Sequence, residues 1–390
     1  MKSRFFRMIR FFAATERAPQ RRTRLRLEAL EDRLAPATLN WIGGSGDWNT
    51  AANWLDATTQ TNHVPVAGDD AVINVAPSIT VTHSTGTHTV QSLTTSNPFT
   101  LSGGTLSIGA TVQVNNAFTL DGGTLSGGTV NFAGGQTLSI VSFNTINTNR
   151  LTGVTVNGDL TLSTNFARVI IEGGTTFANA HLSGDLSILS FAPGQTLTGN
   201  ILFEGASIEK RFVLMFNNTA GTLTIGPTGS IKTVAGFRGS GEIGGPGPEG
   251  LFGGEMTLVN QGLISAEASN TTLSVLAESL ANTGTMGVDS GSTLRLLGTA
   301  SWFNTGTLRV AGGTLNLTGT LTTAALNLPS FVRTGGTVLV QGTLNNAGDT
   351  LTFNNSTGTW TMSDGTISGG TLSFADGQTL ASESSAIKAG

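Results

Sequence analysis

The hydrophobic and polar positions of the chain repeat in units of 22 residues. Asn260, Asn282 and Asn304 open three successive units, in the segments NQGLI, NTGTM and NTGTL. In each unit an apolar residue stands four positions after the Asn, and a small or apolar residue stands two positions later. Because residues two apart lie on the same side of a β-strand, this spacing predicts strands with one apolar and one polar face.

A more distant repeat supports the same interpretation. Residues 118–138 and 360–380 align without a gap and share 13 of 21 residues. A unit of about 20–22 residues holds two or three short strands and their turns, and only stacked units can bury their apolar residues in a continuous interior. We therefore predict an all-β fold, a right-handed parallel β-helix (β-solenoid) whose repeat body spans residues 76–385 and has roughly 14 coils.

The repeat is interrupted between residues 204 and 256, where charged residues are concentrated. The residues concerned are Glu204, Glu209, Lys210, Arg211, Lys232, Arg238 and Glu242. This concentration predicts a loop inserted on one side of the solenoid, and such loops often carry recognition sites. The alternative is a solvated loop without a defined site.

Composition narrows the classes of function. Charged residues make up only 11% of the chain, and the 53 glycines suit repeated turns. Because there is no cysteine, disulfides, thiol catalysis and thiolate metal sites are excluded. No apolar run approaches the roughly 18 residues that a membrane-spanning helix needs.

Charge is distributed unevenly along the chain. Residues 1–33 hold 10 basic and 4 acidic residues, whereas residues 34–390 hold 10 basic and 20 acidic residues. The body therefore lacks the basic surface that binds nucleic acid. Within residues 1–14, apolar residues recur at helical spacing between arginines, a pattern typical of basic helices that contact anionic membrane surfaces. The alternative is a basic leader with no further role.

The order of residues 21–37, RRTRLRLEALEDRLAPA, resembles the N-terminal signature of planctomycete-type exported repeat proteins. The matching positions, which we take as candidates for a sorting motif, are Leu27, Glu28, Leu30, Glu31, Arg33 and Pro36. The resemblance implies that residues 1–38 form a basic targeting or sorting segment, partly helical or disordered. It also implies that the protein is exported to the cell surface or the extracellular space.

Residues 39–75 form a module rich in tryptophan. Trp41, Trp48 and Trp54 lie in the order W-x-G-x-x-G-x-W, then N-W, then P-x-x-G-D. This order resembles the opening module of autotransporter-associated β-strand repeat proteins. Two interpretations remain open. The rings cover the apolar end of the solenoid as an N-terminal cap, or they form an aromatic platform that contacts glycans.

Residues that could carry chemistry are few. The four histidines, His63, His83, His88 and His181, do not have the spacing of a zinc site, and we predict no metal and no cofactor. We expect a non-catalytic, adhesin-like or structural surface protein whose partner is a polysaccharide or the cell-surface matrix. The alternative is a carbohydrate-active enzyme, a polysaccharide lyase or glycosidase, for which Glu204, Glu209, Lys210 and Arg211 are the candidate catalytic residues.

Overall fold

The computed structural model describes residues 36–141, 149–248, 253–289, 291–297 and 301–383. Over these ranges the protein is a stack of parallel coils, a β-solenoid of about 14 turns, with 54% strand and 3% helix. This confirms the predicted fold class. Residues 1–35, to which we assigned the basic helix and most of the sorting motif, lie outside the described residues.

The largest sheet, called the first sheet, runs along the solenoid and has 20 strands. Its strands are β1 (Thr38–Trp41), β3 (Trp54–Asp56), β4 (Asp70–Ile73), β6 (Thr87–Thr95), β8 (Thr105–Val114), β10 (Thr124–Ser126), β11 (Thr129–Phe132), β13 (Asn149–Thr152), β14 (Thr155–Asn157), β16 (Arg168–Glu172), β18 (Ile188–Phe191), β21 (Lys210–Phe216), β24 (Ser240–Gly244), β25 (Gly253–Gly254), β28 (Thr272–Leu276), β31 (Thr293–Leu296), β34 (Thr314–Leu317), β37 (Thr337–Val340), β40 (Trp360–Ser363) and β43 (Leu380–Glu383).

The second sheet contributes one short strand to each coil and has 13 strands. They are β2 (Gly46–Asp47), β5 (Val81–His83), β7 (Phe99–Leu101), β9 (Phe118–Leu120), β12 (Leu138–Ile140), β15 (Leu160–Leu162), β17 (Asn179–Leu182), β20 (Asn200–Phe203), β23 (Ser230–Thr233), β27 (Leu263–Ala266), β30 (Thr285–Asp289), β33 (Thr307–Ala311) and β36 (Phe331–Arg333).

Three smaller sheets complete the coils of the second half. The third sheet has five strands, and the other two have three and two. They are β19 (Gln195–Leu197), β22 (Gly221–Ile225), β26 (Met256–Asn260), β29 (Ser279–Asn282) and β32 (Ser301–Asn304); β35 (Thr320–Thr322), β38 (Thr343–Asn345) and β41 (Thr366–Ser368); and β39 (Thr350–Phe353) and β42 (Thr371–Phe374). Within the described residues, the strands are interrupted by a turn of α-helix, Thr323–Leu326, and by 3-10 turns that include Ala51–Asn53 and Leu328–Ser330.

The alternation of apolar and polar residues determines which side of a strand faces the interior. In β7 and β9 the Phe and Leu side chains point inward and are buried, while the Thr between them points outward. The strands stack in register, with Phe99 on Phe118 and Thr100 on Thr119. Like residues therefore form columns along the solenoid, and the inward columns join into one apolar core that extends from Leu39 to Trp360.

Glycine pairs make the sharp corners between strands. Gly127 and Gly128 separate β10 from β11, and both have positive φ angles, 69° each. The aligned pair of the distant repeat, Gly369 and Gly370, separates β41 from β42 with φ angles of 75° and 64°. These left-handed conformations are accessible to glycine at little cost, which explains why the G-G-T sequence recurs at corners.

Residues 204–256 do not form the single inserted loop that we predicted. The range contains β21, β22, β23, β24 and β25, and the first four of these pair in parallel with strands of the following coil. Lys210 and Glu242 lie on the outer side, where Lys210 Nζ is 2.6 Å from Glu242 Oε1 on the next coil, whereas Arg211 is buried and pairs with Asp185. Apart from Arg211, which is fully buried, most of the inward positions remain apolar, and the coils continue through the charged region.

Candidate functional site

The outward side chains of β6, β8, β10 and β11 form a surface that we call the hydroxyl face. Strand register places these side chains in four columns: Thr87, Thr105 and Thr124; Thr89, Ser107 and Ser126; Ser92, Thr111 and Thr129; and Thr94, Gln113 and Asn131. Successive coils are about 4.8 Å apart and residues two apart on a strand are about 6.7 Å apart. The face is therefore a regular grid of short polar side chains, bent where a register shift between Val90 and Ser92 turns the chain.

The hydroxyls of this face are available to a ligand. None of the twelve residues is buried. Ser92, Gln113 and Asn131 hydrogen-bond to neighbouring side chains, whereas the other nine hydroxyls bond to no protein group within the described residues. Between residues 71 and 149 the sequence holds a single Asp, Glu, Lys or Arg residue, Asp121. The face therefore offers many hydrogen-bonding groups and little charge, and charged residues stand at its two ends, where Asp70 accepts from Ser92 and Arg150 follows Thr124 in the register.

A second outward surface, on the middle coils, is also polar, but its side chains hydrogen-bond to one another. Asp159 accepts a hydrogen bond from the amide of Asn179 (2.8 Å), Asn200 donates to Asn179 (3.0 Å) and Ser230 donates to Asn200 (2.7 Å). His181 lies beside this row. These side chains satisfy one another, so this surface has fewer free groups than the hydroxyl face.

His181 bridges two carboxylates that belong to neighbouring coils. Its Nδ1 lies 3.0 Å from Glu204 Oε1 and its Nε2 lies 3.2 Å from Asp159 Oδ2. Burial of the ring disfavours the charged imidazolium, but the hydrogen bonds to Glu204 and Asp159 outweigh burial and raise the pKa of His181 above its ordinary value of 6.5. The His181 ring thus links three coils.

We expect His181→Gln to remove a stabilisation that depends on pH. Because the pKa of His181 is higher in the folded chain than in the unfolded chain, its contribution is fully present below 6.5 and is lost as pH rises through the folded pKa. Chemical denaturation of wild type and variant between about pH 5 and about pH 9 measures this contribution. The variant should have the lower free energy of unfolding, by less than about 1 kcal/mol, and this difference should shrink as pH rises. Thr119→Gln, at an outward position three coils away, should show no such trend. A difference that grows with pH would contradict the assignment.

His83 and His88 form a separate pair near the N-terminal module. His83 Nδ1 lies 2.8 Å from the carbonyl oxygen of Gly103, and its Nε2 lies 2.9 Å from His88 Nδ1. Burial lowers the pKa of both rings, and the charge of His88 lowers the pKa of His83 further. The geometry fits two neutral imidazoles in a structural hydrogen-bond chain. Within the described residues no group of three His, Cys, Asp or Glu side chains could hold a metal ion.

The three tryptophans of the N-terminal module line the interior. Trp41, Trp48 and Trp54 are 2%, 0% and 0% exposed, and the Trp54 ring packs edge-on against both others at centroid distances of 5.0 and 4.7 Å. Trp48 in turn contacts Phe99 of the second sheet. Buried rings offer no face to a sugar, so we do not retain these residues as glycan contacts. The antiparallel pairing of β3 with β1 places the module at the end of the first sheet.

The four candidate catalytic residues of the enzyme alternative are not brought together. Glu204 contacts His181, Lys210 pairs with Glu242, and Arg211 is buried with its Nη2 3.2 Å from Asp185 Oδ1. Arg211 also donates to the carbonyl oxygens of Glu209 and Ser183 at 2.8 and 2.9 Å. The charged groups of Glu204, Lys210 and Arg211 are thus used in three separate contacts between coils, and Glu209 contacts Arg211 through its backbone carbonyl oxygen.

The sorting-motif candidates Leu27, Glu28, Leu30, Glu31 and Arg33 lie outside the described residues, and Pro36 is exposed at the start of the solenoid. Across the described ranges, no helix has the length and apolarity needed to cross a membrane.

Together, the fold and the hydroxyl face define a β-solenoid protein whose N-terminal coils present a hydroxyl-bearing outer face with little charge. Comparison with known proteins found no matching family model, no matching curated protein and no matching solved structure. The site is therefore interpreted from its own geometry and chemistry.

Proposed function

We propose that this chain is an exported, cell-surface or extracellular β-solenoid that binds neutral polysaccharide through the hydroxyl face and has no catalytic role. The observation that supports this most is the set of nine free hydroxyls on a grid with little charge. An uncharged ligand loses no ionic hydration on this surface, whereas a charged ligand would find a counter-charge only at its ends, at Asp70 and Arg150.

The repeating geometry suits a repeating ligand. A polysaccharide presents hydroxyls at regular intervals, and each hydrogen bond to a threonine or serine contributes little on its own. Many such contacts along one chain add up, because the second and later contacts are effectively intramolecular. The methyl groups of threonine supply apolar contact with the C–H groups of sugar rings.

The proposal of export rests on the amino-acid sequence rather than on structural contacts. The resemblance of residues 21–37 to the signature of exported repeat proteins is one support, and the small number of charged residues in the body is compatible with a structural role outside the cell. Both remain proposals about localisation.

We expect Thr111→Glu to weaken binding to insoluble neutral polysaccharide at least about tenfold, because a carboxylate in the middle of the hydroxyl face must lose hydration without gaining a partner. Co-sedimentation with cellulose, chitin and β-1,3-glucan measures the bound fraction. Thr350→Glu is the matched control: Thr350 is an exposed, outward threonine at the start of β39, outside the hydroxyl face.

Three outcomes would contradict the proposal. The first is that the wild-type chain sediments with none of the three polymers. The second is that both variants lose binding equally, and the third is that sugar fragments are released during incubation. Release of fragments would favour the carbohydrate-active enzyme, for which the contact of Glu204 with His181 would then be the first place to search.

A further inference from the structure

A cavity of about 600 Å³ opens on a corner of the middle coils, away from the hydroxyl face. Its walls are the loops that connect the second sheet to the first sheet in three successive coils, residues 204–209, 234–239 and 267–271. In the coils that follow, the equivalent corner is shorter, and only Gly312 and Gly313 separate β33 from β34. The loops 204–209 and 234–239 are also one residue longer than the equivalent loops of the two preceding coils, 163–167 and 183–187.

The cavity has an apolar side and a polar side. Ile208 is 79% exposed at its rim, and Phe237 is buried beneath it, with its ring 5.8 Å from the guanidinium carbon of Arg211. Arg238, Glu267 and Asn270 supply the polar lining. Concave sites with an apolar wall and a few polar groups are the usual form of small-ligand sites.

The charges of the lining favour an anionic ligand. Glu267 lies 4.0 Å from Lys232 Nζ, and this partly exposed pair offsets part of its charge. Arg238 pairs with no carboxylate in the part of the chain that the structure describes, while its backbone N–H is held by the carbonyl oxygen of Gly205 at 3.1 Å. The other arginine beneath the cavity, Arg211, is occupied by Asp185. Arg238 is therefore the cation that remains to receive an anion.

We propose that this cavity binds an oligosaccharide that contains uronic acid. The planar guanidinium of Arg238 matches a sugar carboxylate, which it can bind through two parallel hydrogen bonds. Ile208 packs against the C–H face of the ring, and the side chains of Glu267 and Asn270 hydrogen-bond to ring hydroxyls. The site differs from the hydroxyl face in position and in ligand charge, and it goes beyond the function proposed above.

Calorimetric titration of the full chain with trigalacturonate tests this site, with galactotriose as the neutral probe. We expect the wild type to bind trigalacturonate at least about tenfold more tightly than galactotriose, and more weakly as salt rises. Arg238→Ala should lose at least about tenfold in affinity for trigalacturonate. Arg238→Lys should lose less affinity, since it keeps the positive charge, and the loss that remains reflects the missing paired donors. Arg295→Ala, at an exposed arginine on the outer side of β31, is the matched control and should bind like the wild type.

A variant that fills the cavity gives an independent check. Ala235 is exposed in its wall, so Ala235→Trp should block trigalacturonate without a change in the thermal unfolding midpoint. Thr111→Glu should leave trigalacturonate binding unchanged, which separates this site from the hydroxyl face. The proposal is overturned if the wild type does not bind trigalacturonate, if it binds galactotriose equally well, or if Arg238→Ala binds like the wild type.

Discussion

Replacing Asn282 with Asp is expected to lower the free energy of unfolding by about 3 kcal/mol or more at neutral pH. Asn260, Asn282 and Asn304 are 0%, 0% and 3% exposed and form a ladder inside the solenoid. Asn260 Nδ2 donates to Asn282 Oδ1 at 2.6 Å, and Asn282 Nδ2 donates to Asn304 Oδ1 at 2.7 Å. An aspartate has the same shape but cannot donate, so it would place a buried negative charge against an oxygen.

Chemical denaturation at several pH values measures the effect. The loss should shrink as pH falls, because a protonated carboxyl can donate to Asn304 again. Asn345→Asp is the matched control: Asn345 is exposed, and its Oδ1 accepts from the Ala347 N–H, a role that aspartate retains. If the two variants were equally stable, the ladder would contribute nothing to the stability of the stack.

Replacing Trp54 with Ala is expected to cost about 3–5 kcal/mol and to unfold the N-terminal coils first. Trp54 is fully buried, contacts both Trp41 and Trp48, and donates from Nε1 to the carbonyl oxygen of Trp48 at 2.8 Å. Its removal would leave a large void at the end of the core. Because each coil contacts mainly its neighbours, the damage should be greatest near this end.

Hydrogen exchange read by mass spectrometry can localise that damage. Amides of β1, β4 and β6 should lose protection in the variant, while amides of β31 and β34 should keep it. Phe303→Ala, at a phenylalanine that is 59% exposed, should change stability by about 0.5 kcal/mol or less. A uniform loss of protection along the chain would show that the tryptophan module does not act as a local cap.

The repeat of Asn260, Asn282 and Asn304 shows what the sequence could predict. A fixed interval of 22 residues predicts that equivalent residues stack, and the three side chains are stacked at that interval. Their inward direction was not predictable from the pattern, because Asn next to Gly or Thr is also typical of exposed turns. Only the register of three coils supplies each amide with the partner that makes its burial possible.

The contacts of the middle coils were harder to predict. Asp159, His181 and Glu204 are separated by 22 and 23 residues, close to one coil each, so their spacing contained the signal for a cluster. The charged residues 210, 211 and 232 led instead to the prediction of a loop, since charged residues close together in sequence are typical of loops. In a solenoid the relevant neighbours are one coil away, and the partners of these charges lie on adjacent coils.

Co-sedimentation of the wild-type chain with an insoluble neutral polysaccharide, at about 0.05 M and about 0.5 M salt, tests the central claim most directly. Contacts between uncharged hydroxyls are not screened by ions, so the account predicts binding of similar strength at both salt concentrations. Absence of binding at either concentration, or binding that disappears at the higher one, would contradict the claim that the hydroxyl face is a site for neutral polysaccharide.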